Sequence, residues 1–263
     1  MSETNHLDLM LNALTEIAQE EEAKKIAPPT PPTPALPDLS KVLARLAPLP
    51  TEALFLGMAN DGLPVLLNLY DPVPGPILIA GDSKSGKTRL LQTIANAADI
   101  LHTSDVVQYG VITRDPDEWK DFYGNENNAG IYHVDEENTV ELLQSLVTWA
   151  HNNKGEGQSI LLFIDDLEAV TALDERTQQN LRWLLLRGTS RRVWTFITLN
   201  AEHVEKQKEW LEFFRTRLFG CVENPDNAKM LTGDSLLNHL AAGEEFAMRE
   251  GKQLLKFWLP VID

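Results

Sequence analysis

A chain of 263 residues, 43% of them hydrophobic, suffices for one large α/β domain with an extension. Its net charge of −16 argues against a broad basic surface for nucleic acid, and leaves room only for a narrow pore lined by a few basic loops. The single cysteine, Cys221, excludes an intrachain disulfide; with no signal-peptide pattern and no apolar stretch of about 18 residues, the reading is of a soluble cytoplasmic protein without a membrane segment.

Residues 1–27 place Leu7, Met10, Leu11, Leu14, Ile17 and Ala18 at helical spacing, then end in an acidic run and two lysines. A lone helix of this length is marginal in water, so its apolar stripe calls for a protein partner. Residues 28–37, "PPTPPTPALP", hold six prolines and make a semi-rigid extended linker. The main domain is expected over 38–263, opening with a short helix capped by Asp38 and stopped by Pro48.

Asn60-Asp61-Gly62 between two apolar runs is a hairpin signal. Next comes "ILIAGDSKSGKTRLLQ", a short apolar strand, a loop and a helix with Leu90, Leu91, Ile94 and Ala97 on one face. Gly81, Asp82, Ser83, Lys84, Ser85, Gly86, Lys87 and Thr88 fit the Gly-x-x-x-x-Gly-Lys-[Ser/Thr] spacing of a phosphate-binding loop, with Arg89 just beyond. Backbone amides of Ser83 to Thr88 would wrap the β-phosphate, helped by the helix N-terminus behind them. Lys87 would charge-pair with the β and γ phosphates, and Thr88 would ligate Mg²⁺, which makes ATP with Mg²⁺ the expected cofactor.

Further strands are expected at "VVQYGVIT", "GIYHV", "SILLFID", "VWTFITL" and "RLFGCVE", with helices at 87–100, 138–152, 174–188 and 205–214, and a closing hairpin around Glu250-Gly251. Strands alternating with helices give an α/β fold with a largely parallel sheet covered on both faces, and β-hairpins at either end. "SILLFIDDLEAV" ends a strand in Asp165-Asp166. Asp165 takes the Mg²⁺-bridging role and Asp166 that of the base facing the γ-phosphate, with Glu168 as the alternative base. The six tryptophans are scattered, and read as core or interface instead of a stacking platform for bases. No Asn/Thr-Lys-x-Asp motif for guanine and no Ser-Gly-Gly signature appears, which argues against GTPase and ABC-type readings.

The succession "LGMANDGLPVLLNLYDPVPGPILIAGDSKSGKTRLL", "LLFIDDLEAV", "RRVWTFITLN", "FRTRLFGCVENPDNAKMLTG" and "AAGEEFAMREG", over roughly residues 50–263, resembles the FtsK/SpoIIIE branch of the HerA–FtsK P-loop motor ATPases. The resemblance implies a homo-oligomeric ring, possibly a hexamer, that couples ATP hydrolysis to translocating or remodelling DNA or, as in type VII secretion, protein. Two positions depart from the family pattern: Asp166 stands where Glu is usual, and Asn200 ends the strand that usually ends in Thr-Gln, so Asn200 would sense the γ-phosphate. The membrane segment and DNA-reading winged-helix domain of the large chromosome translocases are not found in the chain. A ring ATPase also needs a cationic finger from its neighbour, for which Arg191, Arg192, Arg215 and Arg217 are candidates. The alternative reading is a slow, nucleotide-gated assembly subunit without translocase activity.

Overall fold

In the computed structural model, residues 36–153, 155, 157–233, 237–250 and 253–263 are described. The amphipathic segment 1–27 and nearly all of the proline-rich linker lie outside them, as does Gly251 of the closing turn. Helix α1 (Leu39–Leu46) begins after Asp38 as expected, but the Asp38 side chain caps no backbone amide and pairs instead with Lys41.

Strands β1 (Ala53–Ala59) and β2 (Pro64–Asn68) form the first hairpin. Its turn is closed by the Leu63 amide donating to Asp61 Oδ1 at 3.0 Å. Strand β3 (Ile77–Gly81) leads through the phosphate loop into α2 (Lys87–Leu101). There follow β4 (Val107–Thr113), a 3₁₀ turn at Pro116–Phe122, β5 (Asn128–His133), α3 (Glu137–Asn152) and β6 (Ser159–Asp165). After them come α4 (Leu167–Thr171), α5 (Glu175–Arg187), β7 (Val193–Asn200), α6 (Lys208–Leu211), β8 (Thr216–Phe219) and α7 (Pro225–Thr232). The hairpin of β9 (Glu245–Glu250) and β10 (Gln253–Trp258) closes the chain.

The ten strands of the described residues join one sheet in the order β2-β1-β10-β9-β8-β3-β7-β6-β4-β5. The run from β8 to β5 is parallel, and the two hairpins extend it as an antiparallel wing. This is the mostly parallel α/β sheet that the alternating pattern requires. The central strands β3, β6 and β7 are buried on both faces, which is why they read as continuous apolar runs. One face carries a core built around Leu78, Leu162, Ile164 and Leu184, and the other a core around Ile79, Leu91, Phe163 and Trp119. Trp119 and Trp194 are fully buried, in keeping with a core role for tryptophan.

Two elements differ from expectation. The helix expected over 205–214 is helical only at Lys208–Leu211. Val204, Trp210, Leu211 and Phe214 are all buried, so the segment keeps its apolar contacts through turns, while the buried Gln207 is held by Thr171. The strand expected through Glu223 stops at Phe219. Beyond it the chain spends its hydrogen bonds on the phosphate loop, and Cys221 is a half-buried loop residue.

Candidate nucleotide-binding site

Parallel pairing sets the C-terminal ends of β3, β7 and β6 side by side, with Gly81 in register with Asn200. Loops at such ends form the crevice in which open α/β sheets bind ligands. Gly86 caps α2 with φ +92°, and Lys84 also has a positive φ of +63°. These two turns fold the loop over the N-terminus of a 15-residue helix, and the Ser85 amide donates to the Asp82 carbonyl at 3.1 Å.

The Lys87 ammonium donates to the carbonyls of Gly81 (3.0 Å) and Asp82 (2.7 Å), bridging the loop it would vacate for a phosphate. Burial lowers its proton affinity, while Asp165, Asp82 and Asp166 act in the opposite direction. Asp82 stiffens the loop: its amide donates to the Cys221 carbonyl (2.9 Å) and its carboxylate accepts from the Glu223 amide (2.7 Å). Ser83 is exposed, whereas the Ser85 hydroxyl is buried without a partner among the described residues.

Thr88 Oγ1 donates to Asp165 Oδ2 at 2.7 Å, joining the first residues of α2 to the end of β6. The other Asp165 oxygen accepts from Thr198 Oγ1 at 2.8 Å. Burial pushes the Asp165 carboxyl above its ordinary range, against the two threonine hydroxyls and Lys87, which favour its charged form. A hydroxyl and a carboxylate oxygen so placed suit Mg²⁺, which keeps few protein ligands and takes the rest from water and phosphate. No cluster of three acidic, histidine or cysteine ligands exists among the described residues.

Asp166 has φ +112°, rare for a residue with a side chain, and caps α4 by accepting from the Glu168 amide at 2.9 Å. Its other oxygen stands 3.0 Å from Arg114 Nε. Glu168 is paired with His203 Nδ1. Glu118, in the 3₁₀ turn after β4, has its carboxyl pushed up by burial and by Asp165 and Asp115. Asn200 lies beside the loop, its Oδ1 accepting from the Glu202 amide at 3.2 Å.

Not every expected residue gathers here. The Arg89 guanidinium donates to the carbonyls of Gly243 (2.9 Å) and Pro260 (3.4 Å), and so clamps the C-terminal chain. Arg191, Arg192, Arg215 and Arg217 lie at the N-terminal ends of β7 and β8, the sheet edge opposite the phosphate loop of their own chain. Arg192 stacks over Tyr70, 3.8 Å from the ring centre, and donates to the Gly155 carbonyl. Arg217 donates to the carbonyls of Phe214, Leu231 and Leu211, and so clamps its own chain; to reach a neighbour it would have to give up these bonds. Arg215 alone of the four has no hydrogen bond, ion pair or ring contact among the described residues.

Sequence reasoning missed Thr198, Arg114, His203 and Gly243. Thr198 carried a signal, a polar residue inside the apolar run "VWTFITLN". The others required the strand order, because nothing local says that β4 lies beside β6.

No protein-family model and no curated protein matches the sequence. Solved structures do. ATPases 2 and 3 of Thermomonospora curvata EccC, in complex with a signal sequence peptide, align with TM-score 0.67 and 17% identity over 90% of this chain and 45% of theirs. ATPases 2 and 3 of Geobacillus thermodenitrificans EssC align with TM-score 0.71 and 13% identity over 90% and 48%. The pCW3 conjugation coupling protein TcpA, solved with ATPγS, aligns with TM-score 0.65 and 16% identity over 86% and 70%. The chain thus shares the α/β fold of these ATPase structures, and spans about half the length of the two from EccC and EssC.

Proposed function

We propose that this chain binds ATP and hydrolyses it as a motor domain of the FtsK/HerA type, coupling turnover to translocation or remodelling of a polymer, DNA or protein. The observation that carries the reading is the 2.7 Å bond between Thr88 and Asp165, which unites the phosphate loop with the strand-end acid. The fold it shares with secretion and conjugation ATPases supports the same conclusion.

In this reading the loop amides and Lys87 hold the phosphates, and Thr88 and Asp165 hold Mg²⁺, which would neutralise charge on the β and γ oxygens. Asp166 orients a water for attack on the γ-phosphorus and takes its proton as the bond to the β-γ bridging oxygen breaks; Glu168 can take this role once parted from His203. Asn200 contributes its amide NH₂ to the γ-phosphate. Arg215, exposed on the opposite edge, is the best placed to complete the site of a neighbouring subunit in a head-to-tail ring, possibly a hexamer. Arg192 could do so only by leaving Tyr70.

Specific ATPase activity measured over a dilution series, with and without double-stranded DNA, alongside the mass of the assembly, tests the proposal. Activity that rises with protein concentration as the mass increases supports the ring. Constant activity from a monomer refutes it, and slow turnover indifferent to any polymer favours the nucleotide-gated assembly subunit.

A further inference from the structure

We infer that Arg114 is the residue through which this chain distinguishes a bound triphosphate from a diphosphate. The inference rests on the nucleotide-site reading above. Arg114 directly follows β4, whose register with β6 places Thr113 beside Asp165. The arginine therefore emerges next to Asp166, and its Nε stands 3.0 Å from Asp166 Oδ2.

Of the two partners, the carboxylate is the fixed one. Its backbone is held at φ +112° and ψ 98°, and its second oxygen accepts from the Glu168 amide. The Arg114 side chain is 57% exposed, and none of its remaining N–H groups is hydrogen-bonded to a described residue. A guanidinium has five donors in a planar fork, so engagement of Nε leaves the two Nη groups available for an anion.

The surroundings specify which anion. Asp165 ends β6, Asp166 caps α4, Glu168 follows in α4 and Glu118 lies near enough to Asp165 to feel its charge, a concentration of negative charge that opposes a γ-phosphate. Lys87 serves the β and γ phosphates together and so favours ADP as well as ATP. Arg89 is committed to Gly243 and Pro260. Arg114 stands beside the candidate base Asp166, and in the site reading above that base faces the γ-phosphate, the group a diphosphate lacks. A diphosphate leaves it paired with Asp166 alone; a triphosphate gains a forked, charge-assisted contact.

Dissociation constants for Mg-ATPγS and Mg-ADP, measured by calorimetry on the full chain and on Arg114→Gln and Arg114→Lys, decide the matter. Arg114→Gln is expected to weaken ATPγS binding by about tenfold to a hundredfold, the worth of a hydrogen bond to a charged group, with ADP affinity unchanged. Arg114→Lys should recover part of the loss, as a point charge without the fork. An exposed ion pair contributes little to stability, so both variants should fold. Equal weakening of both nucleotides, or of neither, overturns the role of Arg114. Failure of the wild-type chain to bind either nucleotide overturns the site reading itself.

Discussion

Replacing Gly86 with alanine should damage both the fold and the site, and the structure permits a magnitude. At φ +92° any residue with a Cβ is strained, at a cost of about 1–2 kcal/mol. The added Cβ would lie 2.7 Å from Gly243 Cα and 3.2 Å from its carbonyl carbon, both backbone atoms that cannot swing aside. Either the phosphate loop or the 241–244 loop must shift, breaking the 3.1 Å bond from the Gly243 amide to the Ser85 carbonyl and disturbing the Arg89 clamp. Overpacking of this kind costs about 1–3 kcal/mol more. With 1 kcal/mol worth about 2–4 °C in a domain of this size, Gly86→Ala should lower Tm by roughly 5–15 °C and weaken nucleotide binding. Gly62 is the internal control: its φ is also positive, at +85°, but its Cβ would meet open space. Gly62→Ala should cost only the backbone term, a few degrees, with nucleotide affinity intact. Thermal unfolding by circular dichroism with a parallel nucleotide titration measures both. Equal Tm losses in the two variants, with unchanged affinity in Gly86→Ala, would refute the argument from loop contact.

Asp165→Asn should raise the Tm of the nucleotide-free protein at neutral pH while abolishing turnover. A buried carboxyl with raised proton affinity stabilises the fold when protonated and loses that contribution as pH rises through its folded value, so the advantage of asparagine should shrink on acidification. A Tm for Asp165→Asn below wild type at neutral pH would contradict the burial argument. Arg217→Ala should behave as a stability mutant, losing about 2–4 kcal/mol because it strands three carbonyls, two of them in α6 and α7. Unchanged melting with lost turnover would restore its candidacy as a finger.

Most of the architecture was legible because strand and helix periods alternate cleanly, and because the phosphate loop is a local pattern whose eight positions all lie together in the chain. The place of Asp165 was legible for a related reason: an apolar strand that ends in an acid announces where it stops. What stayed hidden depends on neighbours far apart in sequence. The pairing of Arg114 with Asp166 follows from β4 lying next to β6, and the packing of Gly243 on Gly86 follows from the closing hairpin returning beside β8. The contacts of the candidate arginines stayed hidden for the same reason: backbone carbonyls engage Arg217 and Arg192, and Arg192 also stacks on Tyr70. The short α6 shows tertiary contacts overriding a helical pattern, since four buried apolar residues anchor the segment whether or not it is helical.

The central claim is that the loop at 81–88 and the acid at the end of β6 form one triphosphate site. Calorimetric titration of the full chain with Mg-ATPγS, beside Lys87→Ala at the same concentrations, tests it most directly. The account predicts saturable binding with one site per chain, and a loss of about tenfold to a hundredfold in Lys87→Ala as its charge-assisted contacts to phosphate vanish while the fold melts cooperatively as before. Equal affinity in the two proteins, or no binding by the wild type, would contradict it.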